Sequence, residues 1–232
     1  MKKIGILIFI VTVLAGIVFA NLFSFGRVTG KLVNFSFGSR IEGSGVAGSE
    51  ARNTADFNGV GVSGVFQVEV TAGKDFSVQV QADDNLLPYI RTEVKRGILE
   101  IETTERIESH TPLRVLVSAP NIESIEVSGV SDVSVAGVAT SSLEIQASGR
   151  SKVNVAGKTD GVNVEVSGGS SVEAEDLKAQ TASVAASGSS RVSVFVTERL
   201  TSSASGASTI VYSGGPTSVA KNTSGSSKVY QK

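Results

Sequence analysis

The sequence predicts an all-β protein: a single-stranded parallel β-helix (a solenoid) with coils of about 19 residues, preceded by an N-terminal apolar helix. Three observations predict it. The phrase Ser-Gly-x-Ser occurs six times in the second half of the chain, at intervals of 18 to 20 residues. β-Branched residues recur at one fixed offset from every phrase. The composition is 41% hydrophobic but only 6% aromatic, with 25 glycines and no tryptophan in 232 residues, which suits short strands and tight turns around a core of small side chains.

The N-terminus reads as an export element. Met1-Lys2-Lys3 is a short cationic start, and Ile4 to Ala20 (IGILIFIVTVLAGIVFA) is an uncharged apolar run ending in the cleavable-looking Val18-Phe19-Ala20. The run is longer than the ~7–15 residues of a usual signal-peptide core and reaches the lower limit for a membrane-spanning helix. Residues 1–25 are therefore expected to be a signal peptide or a retained transmembrane anchor, with membrane contact through residues 4–25 in the second case. Either leaves the lysines in the cytoplasm and exports the rest, to a membrane-anchored, periplasmic or extracellular location. Residues 26–51, rich in glycine and serine (GSRIEGSGVAGSE), read as a flexible linker.

The β-helix domain is expected over 52–232. In its first part VFQVEV (Val65 to Val70), FSVQVQA (Phe76 to Ala82), ILEIET (Ile98 to Thr103) and LRVLVS (Leu113 to Ser118) each alternate apolar and polar residues, the period of a half-buried strand. DDNLLPYI (Asp83 to Ile90) breaks that period. It reads as a helical turn or two capped by Asp83 or Asp84; calcium ligation by Asp83, Asp84 and Asn85 is the less favoured reading.

Residues 119–232 form the regular repeats. The predicted corners are Ser128-Gly129, Ser148-Gly149, Ser167-Gly168, Ser187-Gly188, Ser205-Gly206 and Ser224-Gly225. Five residues after each leading serine stand Val133, Val153, Val172, Val192, Ile210 and Val229; three before it stand Ile125, Ile145, Val164, Val184, Ser202 and Lys221. Each repeat thus holds two short strands whose alternate residues face inward, and stacking the units buries one continuous column. Glycine is expected at the corner because a Cβ would penalise its backbone conformation, and both serines because corner backbone groups need partners. Lys221 and Gln231 fall in inward slots of the last coil, as suits a coil whose outer end meets water.

Chemistry is sparse. Lys plus Arg (21) nearly balances Asp plus Glu (22), so no basic footprint for nucleic acid exists. With no cysteine and the single His110, thiolate chemistry and multi-histidine metal sites are excluded, and no catalytic, cofactor or metal residue is assigned. Gly59-Val60-Gly61-Val62-Ser63-Gly64 spells a dinucleotide fingerprint, but a strand rather than a helix follows it, so a strand and turn is the better reading. The outward acids Glu126, Asp132, Glu165 and Glu173 are interspersed with Lys152, Arg191 and Lys228, the pattern of a solvated surface rather than of a polysaccharide-cleaving pair.

The segments FNGVGVSGVFQVEVTAG (Phe57 to Gly73) and VQADDNLLPYIRTEVKRGILEIET (Val80 to Thr103), followed by the Ser-Gly-x-Ser repeats, resemble the bacterial DUF2807 family, the "putative auto-transporter adhesin, head GIN domain". The resemblance implies an exported domain with a β-helix-like fold and brings no catalytic residues with it. The expected function is a non-enzymatic cell-envelope module for adhesion or surface binding, with an envelope glycan or protein as the class of partner. A polysaccharide-processing enzyme and a ligand-free spacer are the alternatives.

Overall fold

The computed structural model describes residues 40–232. The expected apolar segment 1–25 and residues 26–39 of the expected linker lie outside the described residues.

The described chain is all β apart from one 3-10 helix. Strands β1 (Ile41–Glu42) and β2 (Ala47–Arg52) precede β3 (Gly59–Gly64) and β4 (Gln67–Ala72). Then come β5 (Ser77–Asp83), the 3-10 helix Asp84–Tyr89, β6 (Ile90–Lys95), β7 (Ile98–Thr103) and β8 (Ile107–Glu108). Next, β9 (Arg114–Ala119) and β10 (Ser124–Gly129) lead into four long strands: β11 (Asp132–Ala147), β12 (Lys152–Val166), β13 (Ser171–Ala186) and β14 (Arg191–Ala204). Last are β15 (Thr209–Ser213), β16 (Ser218–Thr223) and β17 (Lys228–Gln231).

The long strands are each two strands joined by a bend. In β11, Asp132 to Ala136 pairs with β4, whereas Glu144 to Ala147 pairs with β10. The register breaks between Val135 and Val138, where Gly137 has φ +80° and a Cβ would lie 2.7 Å from the Ala72 carbonyl oxygen. The first halves stack into one wall and the second halves into another. The Ser-Gly-x-Ser segment turns the chain from the second wall into the first wall of the next coil.

Parallel register puts like residues over like. Val133, Val153, Val172, Val192, Ile210 and Val229 are successive partners on the first wall. The column continues the other way through Val68, Val115 and Val80. On the second wall Leu99, Val60, Ile125, Ile145, Val164 and Val184 stack in the same fashion. All of these but Val229 are buried, and they join one hydrophobic core. Each buried valine is worth about 1.5–3 kcal/mol of transfer free energy, so the column is a major source of stability.

The first half of the domain departs from the expected single-stranded parallel helix. β2 runs antiparallel to β5, β5 antiparallel to β9, and β6 antiparallel to β7. Moreover, β3 lies between β7 and β10 on the second wall, and β4 between β9 and β11 on the first. The coil formed by β3 and β4 is therefore flanked by strands that come later in the chain, and coils follow sequence order only from β10 onward. Alternating patterns define strands but not their partners, so this order leaves no trace in the sequence.

Residues 40–51, expected at the end of a flexible linker, instead contain β1 and most of β2. The short β1 pairs with β8, and β2 forms the edge of the first wall. The G-x-G-x-x-G stretch is β3 itself. A Cβ at Gly59 would come 3.1 Å from Ile98 and from Ser124, so these glycines let neighbouring strands approach. At the far end every residue of β16 is exposed. Lys221 places its Nζ 4.8 Å from the centre of the Tyr212 ring, a charge over an aromatic face at the rim of the core.

Candidate functional site

The two serines of each repeat phrase have different surroundings. The trailing ones, Ser131, Ser151, Ser170, Ser190 and Ser208, are buried beneath the corner. Ser131 Oγ lies 3.0 Å from the Gly64 carbonyl oxygen, Ser151 Oγ 3.0 Å from that of Ser148, and Ser208 Oγ 2.8 Å from that of Ser205. Ser151 and Ser208 thus bind carbonyls of their own corners, and Ser131 joins Val130 N on the Gly64 carbonyl, as buried polar groups require; Ser190 Oγ is buried without such a partner among the described residues. The leading serines, Ser128, Ser148, Ser167, Ser187, Ser205 and Ser224, stand at the surface instead. Between them and the trailing serines the backbones stack. Arg150 N donates to Gly129 O at 2.8 Å, Gly169 N to Gly149 O at 2.8 Å, and Ser189 N to Gly168 O at 2.7 Å. Gly129, Gly149, Gly168, Gly188, Gly206 and Gly225 all have φ between +72° and +88°.

The leading serines from Ser128 to Ser205 edge a shallow depression of about 610 Å³ on the outer side of the second wall. Two outward rows line it along the solenoid: Glu126, Gln146, Glu165, Ala185 and Ser203, and the serine row itself; a further outward row, Ser124, Glu144, Asn163, Ser183 and Thr201, runs beside them on the same wall. None of these positions holds a cation. Sequence reading treated Glu126 and Glu165 as part of a mixed, solvated surface because basic residues alternate with them along the chain. The fold separates the two sets. Asp132, Lys152, Arg191 and Lys228 share one row on the outside of the first wall, and Lys152 Nζ reaches Glu173 at 3.4 Å there. A residue's wall follows from which side of the bend it occupies, a signal the repeat register already carries.

Cations stand at one margin of the depression. Lys95 Nζ meets Glu100 at 2.9 Å, and Arg91 pairs with Glu102. The hydrogen bond that Lys95 donates to Glu100, and then that to Glu93, raises the Lys95 pKa; the bond donated to Glu102 raises that of Arg91. The surface beyond that margin offers hydroxyls, amides and carboxylates in repeating array. It suits hydrogen bonding to a polyhydroxylated or polar ligand, and no nucleophile with an adjacent base is assembled in it. The single imidazole is placed elsewhere, with His110 Nε2 3.4 Å from Glu42.

Asp83 does not cap the 3-10 helix that follows it. Its fully buried carboxylate instead accepts from Gly45 N at 2.9 Å, Ser109 Oγ at 2.6 Å, His110 N at 2.8 Å and Thr111 N at 3.3 Å. The Ser109 hydroxyl, followed by these backbone donors, outweighs burial and holds its pKa below the usual carboxylate value. Asp84 Oδ1 accepts from Asn85 N at 2.7 Å and Ser44 Oγ at 2.5 Å, and Asn85 Oδ1 from Ser44 N at 2.9 Å. The oxygens considered for calcium therefore tie together segments of the chain.

A family model described as "Putative auto-transporter adhesin, head GIN domain" (DUF2807) matches residues 56–216. Among solved structures, a putative adhesin from Bacteroides fragilis superposes with TM-score 0.70 at 19% identity, covering 83% of this chain and 100% of that one. A putative lipid binding protein from Parabacteroides distasonis gives TM-score 0.52 at 20% identity, with 84% and 100% covered. A putative adhesin from Parabacteroides merdae gives 0.51 at 15% identity, with the same coverage. At such identities the likeness is one of fold. No curated protein matches the chain.

Proposed function

The chain belongs to the DUF2807 family, and from that premise we propose that it is a non-enzymatic, exported cell-envelope domain that binds a surface glycan or protein through the outer face of its second wall. The observation that supports this reading most is the cation-free field of serine, glutamine and glutamate side chains, repeated coil after coil along the 610 Å³ depression. Each hydrogen bond to a ligand there is weak. Their sum is useful because the backbone ladder already holds the groups in place, so little ordering is needed on binding. Export is supported by the Met1-Lys2-Lys3 start and the apolar run Ile4 to Ala20.

The test is retention of the full chain on immobilised envelope polysaccharides and envelope proteins, beside a Glu126→Lys/Glu165→Lys variant with an unchanged circular dichroism spectrum. Retention of the native chain, with at least about tenfold weaker binding by the variant, is expected for two reversed charges in the contact. Equal retention of both, or of neither, removes the reading. New reducing ends in the polysaccharide fractions turn it into an enzyme.

A further inference from the structure

The segment Arg40–Arg52 precedes the residues that the family model matches, yet it is paired into the domain. We propose that the edge of β5, together with the buried Asp83 carboxylate, is a strand-accepting site that the chain's own β1–β2 segment occupies here and that the same segment of a second copy enters by strand exchange.

The site selects its strand closely. Gly45 N donates to Asp83 and has φ +75°, a conformation that favours glycine. At Gly43 a Cβ would fall 2.3 Å from Asp83 Oδ2, and at Gly48 one would fall 2.9 Å from Asp84 Cα. The groove therefore demands glycine at three places, and Gly43-Ser44-Gly45-Val46-Ala47-Gly48 supplies them. A second copy brings the identical sequence, so the register from Ala47 opposite Asp83 to Arg52 opposite Val78 can be reproduced between chains.

The bound segment is held by polar ties rather than by the core. From Arg40 to Arg52 only Gly43 is buried, and Val46 is 58% exposed. A segment of this kind opens without unfolding the solenoid. The connection to β3 contains Asp56 at φ +60°, a left-handed conformation in a non-glycine residue. Extending that hinge relieves the conformation, and short strained hinges favour exchange of an element between protomers. Closure within one chain prevails in dilute solution, because the tethered segment is at high effective concentration. Exchange is the state of crowded copies.

The sequence has no cysteine, so engineered pairs report cleanly. Ser49 stands opposite Gln81 across β2 and β5. Full chains carrying Ser49→Cys or Gln81→Cys alone are mixed and oxidised at rising concentration, beside the double variant in one chain. The expected result is an intrachain disulfide in the double variant and a mixed disulfide heterodimer from the singles, in excess of either homodimer. The heterodimer should disappear when the Ser49→Cys chain also carries Gly43→Val. Closure of the double variant without any excess heterodimer overturns the exchange. Failure of the double variant to close overturns the site itself.

Discussion

Gly149 stands directly over Gly129. Its amide side lies so close to the coil before it that a Cβ at 149 would sit 2.4 Å from the Gly129 carbonyl oxygen, and both residues have φ above +80°. Two separate requirements thus meet at one corner position, one conformational and one steric. The same pair of requirements recurs at Gly168 over Gly149 and at Gly188 over Gly168.

Gly149→Ala should therefore cost about 2–5 kcal/mol, the sum of a left-handed alanine and an overpacked backbone contact. Gly215→Ala is the matched control. It has φ +72° but nothing within 4 Å of the added Cβ, and should cost only about 1–2 kcal/mol. Urea unfolding midpoints of the two variants separate the conformational from the steric part, and equal losses would show that stacking is not what demands glycine.

The valine column should weaken toward its open end. Val172 is fully buried with partners on both sides, so Val172→Ala should lose about 2–3 kcal/mol. Val229, in the last strand and only partly buried, should lose less than about 1 kcal/mol on the same change. Denaturant titration of both variants reads the gradient directly.

Asp83 makes stability depend on acid. Its pKa is lowered in the folded state below the usual carboxylate value, so its contribution is complete above that usual value and is lost as pH falls through the lower, folded one. The gap in unfolding midpoint between the native chain and Asp83→Asn should be constant from pH 7 to about 5 and should close in strong acid. A gap that stays the same to pH 2 would mean the carboxylate's charge contributes nothing.

Removing residues 152–170 joins Ser151 to Ser171 and deletes one whole coil in register, since Lys152 and Ser171 are partners. Val133 then meets Val172, and Ile145 meets Val184, as Val153 and Val164 did before. A folded, shorter solenoid is expected, because stability in such arrays is nearly a sum over neighbours. Its affinity for the ligand should fall, because Asn163, Glu165 and Ser167 leave the binding face; unchanged affinity would favour a spacer.

How much of this was legible follows from range. Val133, Val153, Val172 and Val192 share one period, so both the column and the corners that punctuate it can be read from the chain alone. The acids Glu126, Asp132, Glu165 and Glu173 are legible as outward, but not as split between two walls, Glu126 and Glu165 on the second and Asp132 and Glu173 on the first, because the alternating pattern alone does not mark the bend near Gly137. Asp83 reads from its neighbours as one of two candidate local caps, yet its carboxylate serves distant segments. Its donors lie 38 residues before it, at Gly45, and 26 to 28 residues after it, at Ser109, His110 and Thr111.

The amino-acid order by itself determined the all-β class, the coil length and the inward residues of the coils before β16, since each is a local periodicity enforced by pleat and turn chemistry; Lys221 and Gln231, in inward slots by the same period, are exposed in the last coil. Only the tertiary structure decided that the β3–β4 coil is enclosed by later strands, that β2 docks antiparallel on β5, and that Glu126 and Glu165 share one wall while Lys152, Arg191 and Lys228 share the other. Those outcomes depend on which strand edges meet across long stretches of chain, and pairing of that kind leaves no period in the sequence to read.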